Sequence, residues 1–249
     1  VRRLIVALTL VLLASSPAQA AIAHVQTVSC SAHGATSCTT GAVTTTNGSL
    51  FIVSTSFCCV SGDFTSITDS KSNTYVNAVP AFNQDSAWAR QDYIASGTGG
   101  ASHTFTVNGT VNLFATISVH EVSGAAASPL DKIASNSIVV DTSHTSTATT
   151  TTSQANELLV GAGGSTDTTT YTTDTGAGWT ERTNVATDAN TEGGVFGTRI
   201  VAATGTYAYT YTTGSSARSV SLISTWKEAA AAGVRQRCIG CGADSKVIE

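Results

Sequence analysis

Charge is scarce in this chain. Asp, Glu, Lys and Arg make up 11% of 249 residues, and acidic side chains outnumber basic ones 16 to 12. A protein so short of Lys and Arg lacks the electrostatic footprint of a nucleic-acid binder or of a protein drawn to an anionic membrane. Long apolar runs are scarce too. The run Leu4 to Leu13 is too short to span a bilayer, and no later segment approaches that length, so no membrane insertion is expected. Methionine is absent, and Val1 is read as an alternative start. The histidines, His24, His33, His103, His120 and His144, form no HxH or HExxH cluster, so no metal or cofactor is expected. No G-x-S-x-G elbow occurs, which leaves a hydrolase triad without an anchor. No stretch before Trp226 repeats its apolar residues every 3.6 positions, so helices are not expected there.

What is abundant is threonine, 42 residues of it, a β-branched type suited to the exposed face of a sheet. With 41% hydrophobic residues the chain has enough apolar side chains for a core. Its start, Val-Arg-Arg followed by an apolar run and Ala18-Gln19-Ala20, has the three parts of a secretory signal peptide, expected over residues 1–20. Loss of Arg2 and Arg3 would leave 10 basic against 16 acidic residues. The expected location is secreted or extracellular, with the periplasm or cell surface as variants.

Export makes disulfides the default for Cys30, Cys38, Cys58 and Cys59. Cys58 and Cys59 point to opposite sides of an extended segment, so pairing of each with Cys30 or Cys38 is expected, in a connectivity left open. Cys238-Ile-Gly-Cys241 has the spacing of a metal knuckle but lacks a second pair, and reads as a local disulfide in a tail.

The stretch Asn112 to Gly124 is the organising strand. Leu113, Ala115, Ile117 and Val119 share one face at the two-residue period, and Glu121 falls on the same parity. Near the end of the chain Val220, Leu222, Ser224 and Trp226 lead in the same way to Glu228. Leu50-Phe-Ile-Val53 has a counterpart in Leu158-Leu-Val160, Tyr75 in Trp179, and His103-Thr-Phe-Thr-Val107 in Tyr207-Ala-Tyr-Thr-Tyr211. These echoes imply two similar halves, about 44–124 and 151–228. Turn signals at short intervals indicate a sandwich or barrel. Ile22 to Val28 reads as a first strand followed by a loop to Gly41, Thr142 to Thr152 as a linker or an edge strand, and 229–249 as a short helix or flexible tail.

The succession Asp69-Ser70-x-x-Asn73-Thr74-Tyr75, Trp88 to Ile94, His103-Thr-Phe-Thr-Val107, Glu121-Val-Ser-Gly124, Pro129-Leu130-Asp131 and Asn156-Glu-Leu-Leu-Val160 resembles a group of uncharacterised bacterial secreted proteins with jelly-roll-like β-sandwiches. The resemblance implies an all-β, jelly-roll-like antiparallel β-sandwich over 21–228 and carries no catalytic residues with it.

Three features invite a functional reading. Glu121 and Glu228, at equivalent strand ends, have the residue types of a glycosidase acid–base pair, or else accept hydrogen bonds from turn backbone. Asp69 to Asn73 mixes oxygen ligands suited to Ca²⁺ with the residues of a plain turn. Tyr207, Tyr209 and Tyr211 alternate along one strand and either offer stacking platforms to a sugar or fill the core. The expected function is a non-catalytic binding or surface-structural module with an extracellular glycan as its partner. A polysaccharide-acting enzyme using Glu121, or a subunit of an extracellular assembly, are the alternatives.

Overall fold

The computed structural model describes residues 21–58, 64–84, 86–165, 167, 169–187 and 193–230. The stretch 1–20 expected to be a signal peptide, Cys59, and residues 231–249 with Cys238 and Cys241 lie outside the described residues, as does the side chain of Cys58. The first half carries β1 (Ala23–Thr39), β2 (Val43–Thr45), β3 (Leu50–Cys58), β4 (Phe64–Asp69), β5 (Val76–Gln84), β6 (Ala87–Ile94), β7 (Gly100–His103) and β8 (Phe105–Ser123). The second carries β9 (Ala125–Thr145), β10 (Glu157–Ser165), β11 (Tyr171–Thr173), β12 (Thr180–Val185), β13 (Gly194–Val201) and β14 (Thr210–Glu228), with one 3₁₀ turn at Thr175–Ala177.

Strand β8 contains the stretch read as the organising strand and sits inside its sheet, whose order is β1-β8-β3-β6-β5 with β4 also on β8. Its two ends have different neighbours. Ile117 pairs with Cys30 on one side and Thr55 on the other, whereas Val107 pairs with Cys38 and Ile67. The ribbon of β1 and β8 is therefore bent, and Phe51 of β3 packs edge-on against Phe105 at 5.5 Å although their strands pair elsewhere. Inside this curl Val53, Phe57, Val107, Leu113, Ile117 and Val119 form the core of the first half.

The bend also decides the cysteine chemistry. Strand β1 slips register between Ala32 and Ser37, with Gly34 at φ +62° supplying the left-handed residue the excursion needs. Cys30 and Cys38 are thereby brought to 6.1 Å between Cα atoms and are bonded to each other. The expected link from either to Cys58 or Cys59 is overturned, because both partners are already used. The loop expected before Gly41 is instead a continuation of β1.

The second sheet has the order β9-β14-β10-β13-β12 with β11 also on β14, which matches the first sheet strand for strand. It curls around a core of its own that includes Leu159, Trp179, Tyr209, Tyr211 and Ile223. Strands β8 and β9 are joined through Gly124 alone, which passes the chain from the first sheet to the second at φ +71°.

A third core joins the halves. Leu50, Ile52 and Val122 from the first pack with Leu158, Val160, Leu222 and Trp226 from the second. Both faces of β3 and β10, and of residues 115–122 of β8 and 219–226 of β14, are thus buried, and the whole is an all-β, multi-sheet, loosely sandwich-like fold. Polar ties cross the same seam: Ser118 Oγ lies 2.9 Å from Thr183 Oγ1, and Ser56 Oγ donates to Gly193 O at 2.9 Å. Edge strand β1 meets β12 on one side, and β5 meets β9 on the other.

The Thr-rich run 142–152 is neither a linker nor a plain edge strand. Its first residues finish β9, and the rest pairs at intervals of three. Ser146, Thr149 and Thr152 each donate a backbone N–H to the carbonyl of Tyr209, Tyr207 and Gly205 respectively. Each side-chain hydroxyl accepts the N–H of that same partner, at 3.0, 3.1 and 3.2 Å. Hydroxyls take the place of strand carbonyls, which is why this composition is required there. In the first half Thr40 makes the same pair of bonds with Phe105.

Candidate functional site

The strongest site geometry lies at one end of the first half, where Glu121, Gln26 and Thr45 line a niche with Val28, Val43, Phe51, Phe105 and Val119. Glu121 is only 3% exposed. Its Oε1 accepts the Thr46 backbone N–H at 2.7 Å and the Ser49 hydroxyl at 2.9 Å, and its Oε2 accepts the Gln26 side-chain amide at 2.6 Å. The carboxylate therefore holds the turn between β2 and β3, the position where Gly48 takes φ +84°, and ties it to β1. The niche has a cavity volume of about 10 Å³, far below the ~300–1,000 Å³ of ordinary ligand pockets.

Glu228 does not duplicate this role. Phe51 faces Glu121, and Leu159, its counterpart in β10, faces Thr225. Glu228 lies three residues beyond, where its Oε1 accepts the backbone N–H of Ile22 from the other half at 3.2 Å. The expected pairing of two symmetric glutamates is corrected by this register. In the second half a turn-holding acid sits on another strand, β9. Asp131 of β9 accepts the Ser153 backbone N–H at 2.6 Å and the Ser153 hydroxyl at 2.7 Å, as Glu121 does with Thr46 and Ser49.

Beside Asp131 stands Glu157, completely buried, with neither carboxylate oxygen in a well-formed hydrogen bond. Burial pushes its carboxyl up to about 7, with Asp131 adding to the rise and Thr225 opposing it. Asp131 itself is held below its ordinary value: burial works to raise it, but the Ser153 bonds outweigh that.

A second network hangs on Asp69. Its Oδ1 accepts the backbone N–H groups of Lys71 and Asn73, and its Oδ2 accepts the Tyr75 hydroxyl at 2.6 Å and the Asn73 amide at 2.7 Å. The Ca²⁺-like stretch is therefore an Asx-type turn whose oxygens are already engaged. These bonds hold Asp69 below its ordinary value although burial alone would raise it. His103 stands behind it, its Nδ1 2.8 Å from the Thr45 hydroxyl and its Nε2 3.1 Å from Asp69 Oδ2. Hydroxyl, imidazole and carboxylate stand in the order of a nucleophilic relay. The Nε2 contact is out of line for a hydrogen bond, and the ring is fully buried, stacked on Phe105 at 4.1 Å and edge-on to Phe51. The relay binds β2, β7 and the 69–75 turn to the curl.

The tyrosine row is core. Tyr209 and Tyr211 are completely buried, so neither offers a face to a sugar, and the stacking reading is corrected for both. Their rings lie over Gly161 and Gly163 of β10, where a Cβ would fall 2.2 and 2.1 Å from ring carbons. Tyr209 reaches Thr173 at 3.2 Å, and the Tyr211 hydroxyl donates to Val220 O at 2.8 Å. Tyr207 alone is partly exposed, with the Arg199 guanidinium 5.7 Å from its ring centre and its hydroxyl on Ala203 O at 2.6 Å.

Glu157, Asp131 and the Thr45–His103 pair were not singled out from sequence. The one signal for Glu157 was its place between Asn156 and the apolar run Leu158 to Val160, an acid entering a strand whose residues are all buried. Among the described residues no group of three or more His, Cys, Asp or Glu side chains is arranged to hold a metal ion, and no helix is long and apolar enough to cross a membrane. No protein-family model, curated protein or solved structure matches the chain.

Proposed function

We propose that this protein is an exported, non-catalytic structural module, built as two copies of one jelly-roll-like unit fused through a common core. The observation that carries the reading is the hydrogen-bond set of Glu121. All three donors it accepts from are parts of the protein that need holding: a turn amide, a turn hydroxyl and the amide of an edge strand. An acid–base catalyst needs a carboxyl that faces substrate, and the niche beside Glu121 is smaller than a sugar-sized pocket. Export is supported by the Cys30–Cys38 bond, since such bonds persist in oxidising compartments. Two copies of one unit are supported by the matching strand orders and by the repeated hydroxyl pairing of Thr40 and Ser146. Glycan binding keeps Tyr207 as its one partly exposed ring in the row.

The test is a reducing-sugar assay on the purified mature chain against a polysaccharide panel, with a glycan array on the same sample. The structural reading expects no turnover and no array signal that depends on Tyr207. Turnover that disappears in Glu121→Gln with the fold intact would hand the protein to the enzyme reading.

A further inference from the structure

Three basic side chains gather on one side of the seam between the halves, in a chain where acids outnumber bases 16 to 12. His24 comes from β1, His120 from β8 and Arg182 from β12. Two strand irregularities put them there. Val25 is the extra residue of a bulge between His24 and Gln26, so that His24 and Thr27 share the seam face with His120. Arg182 is the extra residue of a bulge between Glu181 and Thr183 on the opposite edge strand. Bulges re-aim side chains and recur beside functional sites. Here they turn two edge strands of different sheets toward one point, pinned by the 2.9 Å contact of Ser118 with Thr183.

The side chains fit one another without an acid. Thr27 Oγ1 lies 2.8 Å from His24 Nε2 and 3.2 Å from His120 Nδ1, and the two rings meet edge to face at 5.8 Å. Arg182 is anchored by its Nε donating to Thr198 Oγ1 at 2.7 Å. His120 is completely buried and its Nε2 has no hydrogen-bond partner. His24, Thr27 and Arg182 are only partly buried, so they carry the solvent-facing side of the cluster and His120 its buried side.

The charges say what it would admit. The charged groups acting on His24 and His120 are Arg182 and, for His120, His24. Burial first and Arg182 second depress His24 to about 4, and burial, His24 and Arg182 hold His120 well below its ordinary value. A metal cation would meet the permanent charge of Arg182. An anion would relieve both the repulsion and the unpartnered nitrogen. It would also choose between two hydroxyl orientations: when Thr27 donates to His120 Nδ1, the neutral ring carries its proton on Nε2 and donates it. The Arg182 guanidinium, close enough to act on both rings, suits a tetrahedral or planar oxyanion.

We propose that the seam between β1, β8 and β12 is an oxyanion-binding site, taking a sulfate, phosphate or carboxylate group on Arg182 and His120, with His24 and Thr27 at its rim. The reading is independent of the structural role of Glu121, which lies on the opposite face of β8.

The experiment is calorimetric titration of the full chain with sodium sulfate against sodium chloride at matched ionic strength, repeated with a sulfated disaccharide. A saturable sulfate isotherm absent with chloride is expected, at least tenfold weaker in Arg182→Gln. Tighter binding of the sulfated sugar would identify a glycan-borne group as the source, and equal or weaker binding a free ion. Should Arg182→Gln fail to fold, histidine ring spectra of the unaltered protein decide. Sulfate must move the His24 and His120 signals while leaving His103 and His144 in place. No saturable binding, equal binding by Arg182→Gln, or unmoved His24 and His120 signals would overturn the site.

Discussion

Replacing Tyr209 with alanine separates a packed core from a binding surface, and Gly161 provides an internal control. Tyr209 is wholly buried among Trp179, Tyr211 and Leu159, its ring centre 4.8 Å from that of Trp179. Truncating a large buried aromatic costs about 3–5 kcal/mol through lost transfer energy and the cavity left behind. For a domain of this size that is a fall in Tm of roughly 6–20 °C. The ring rests directly on the Gly161 backbone, where a methyl carbon would stand 2.2 Å from its Cγ. Gly161→Ala alone should therefore overpack the core and cost about 1–3 kcal/mol. In the Tyr209→Ala background the same methyl enters vacated space and should be neutral or slightly stabilising, a coupling of about 1–3 kcal/mol. Urea unfolding of the four proteins at one pH measures the cycle. A Tyr209→Ala cost below about 1 kcal/mol, or a Gly161→Ala cost equal in both backgrounds, would refute the packing.

Two further outcomes follow from the buried chemistry. Glu157 has its native pKa raised from 4.5 to about 7, so the folded state holds that proton more tightly and stability falls as pH rises across this window. Urea midpoints of the unaltered protein should decline from pH 5 to pH 8, and Glu157→Gln should flatten that decline and exceed it at pH 8; an unchanged slope in the mutant would contradict the assignment. Non-reducing peptide mapping should find Cys30 and Cys38 in one closed peptide two hydrogens lighter than its reduced form. Closing a loop of this length is worth about 2–3 kcal/mol, which reduction should remove, and a crosslink from either residue to Cys58 or Cys59 would exclude the pairing.

Much of the fold follows from patterns visible in the chain. The two-residue period of Leu113 to Val119 identifies β8, and the echo of Leu50 to Val53 in Leu158 to Val160 marks its neighbours in the two sheets. Other features escape because the determining partner is distant in sequence. Cys30 and Cys38 meet only because β8 bends 10 residues apart, at Val107 and Ile117. The period of three in Ser146, Thr149 and Thr152 is plain in the sequence, yet it belongs to neither helix nor strand and acquires meaning only beside Gly205, Tyr207 and Tyr209. Glu228 misleads because β14 aligns with β8 at a spacing of 104, placing Thr225 and not Glu228 opposite Leu159. Tyr209 and Tyr211 could have been matched to Gly161 and Gly163, two small residues at the same spacing as two large ones. The seam cluster has no such signal, since His24, His120 and Arg182 are joined only by two bulges.

The central claim, that Glu121 supports a turn and does not work on a substrate, is tested most directly by the stability of Glu121→Gln. The new amide cannot accept from Gln26, whose Nε2 also donates to Thr44 O at 2.7 Å and cannot turn away without losing that bond. The predicted result is a loss of about 1–2 kcal/mol, read as a lower urea midpoint with unchanged slope. An unaltered midpoint, with the abolition of a polysaccharide turnover present in the parent protein, would contradict it.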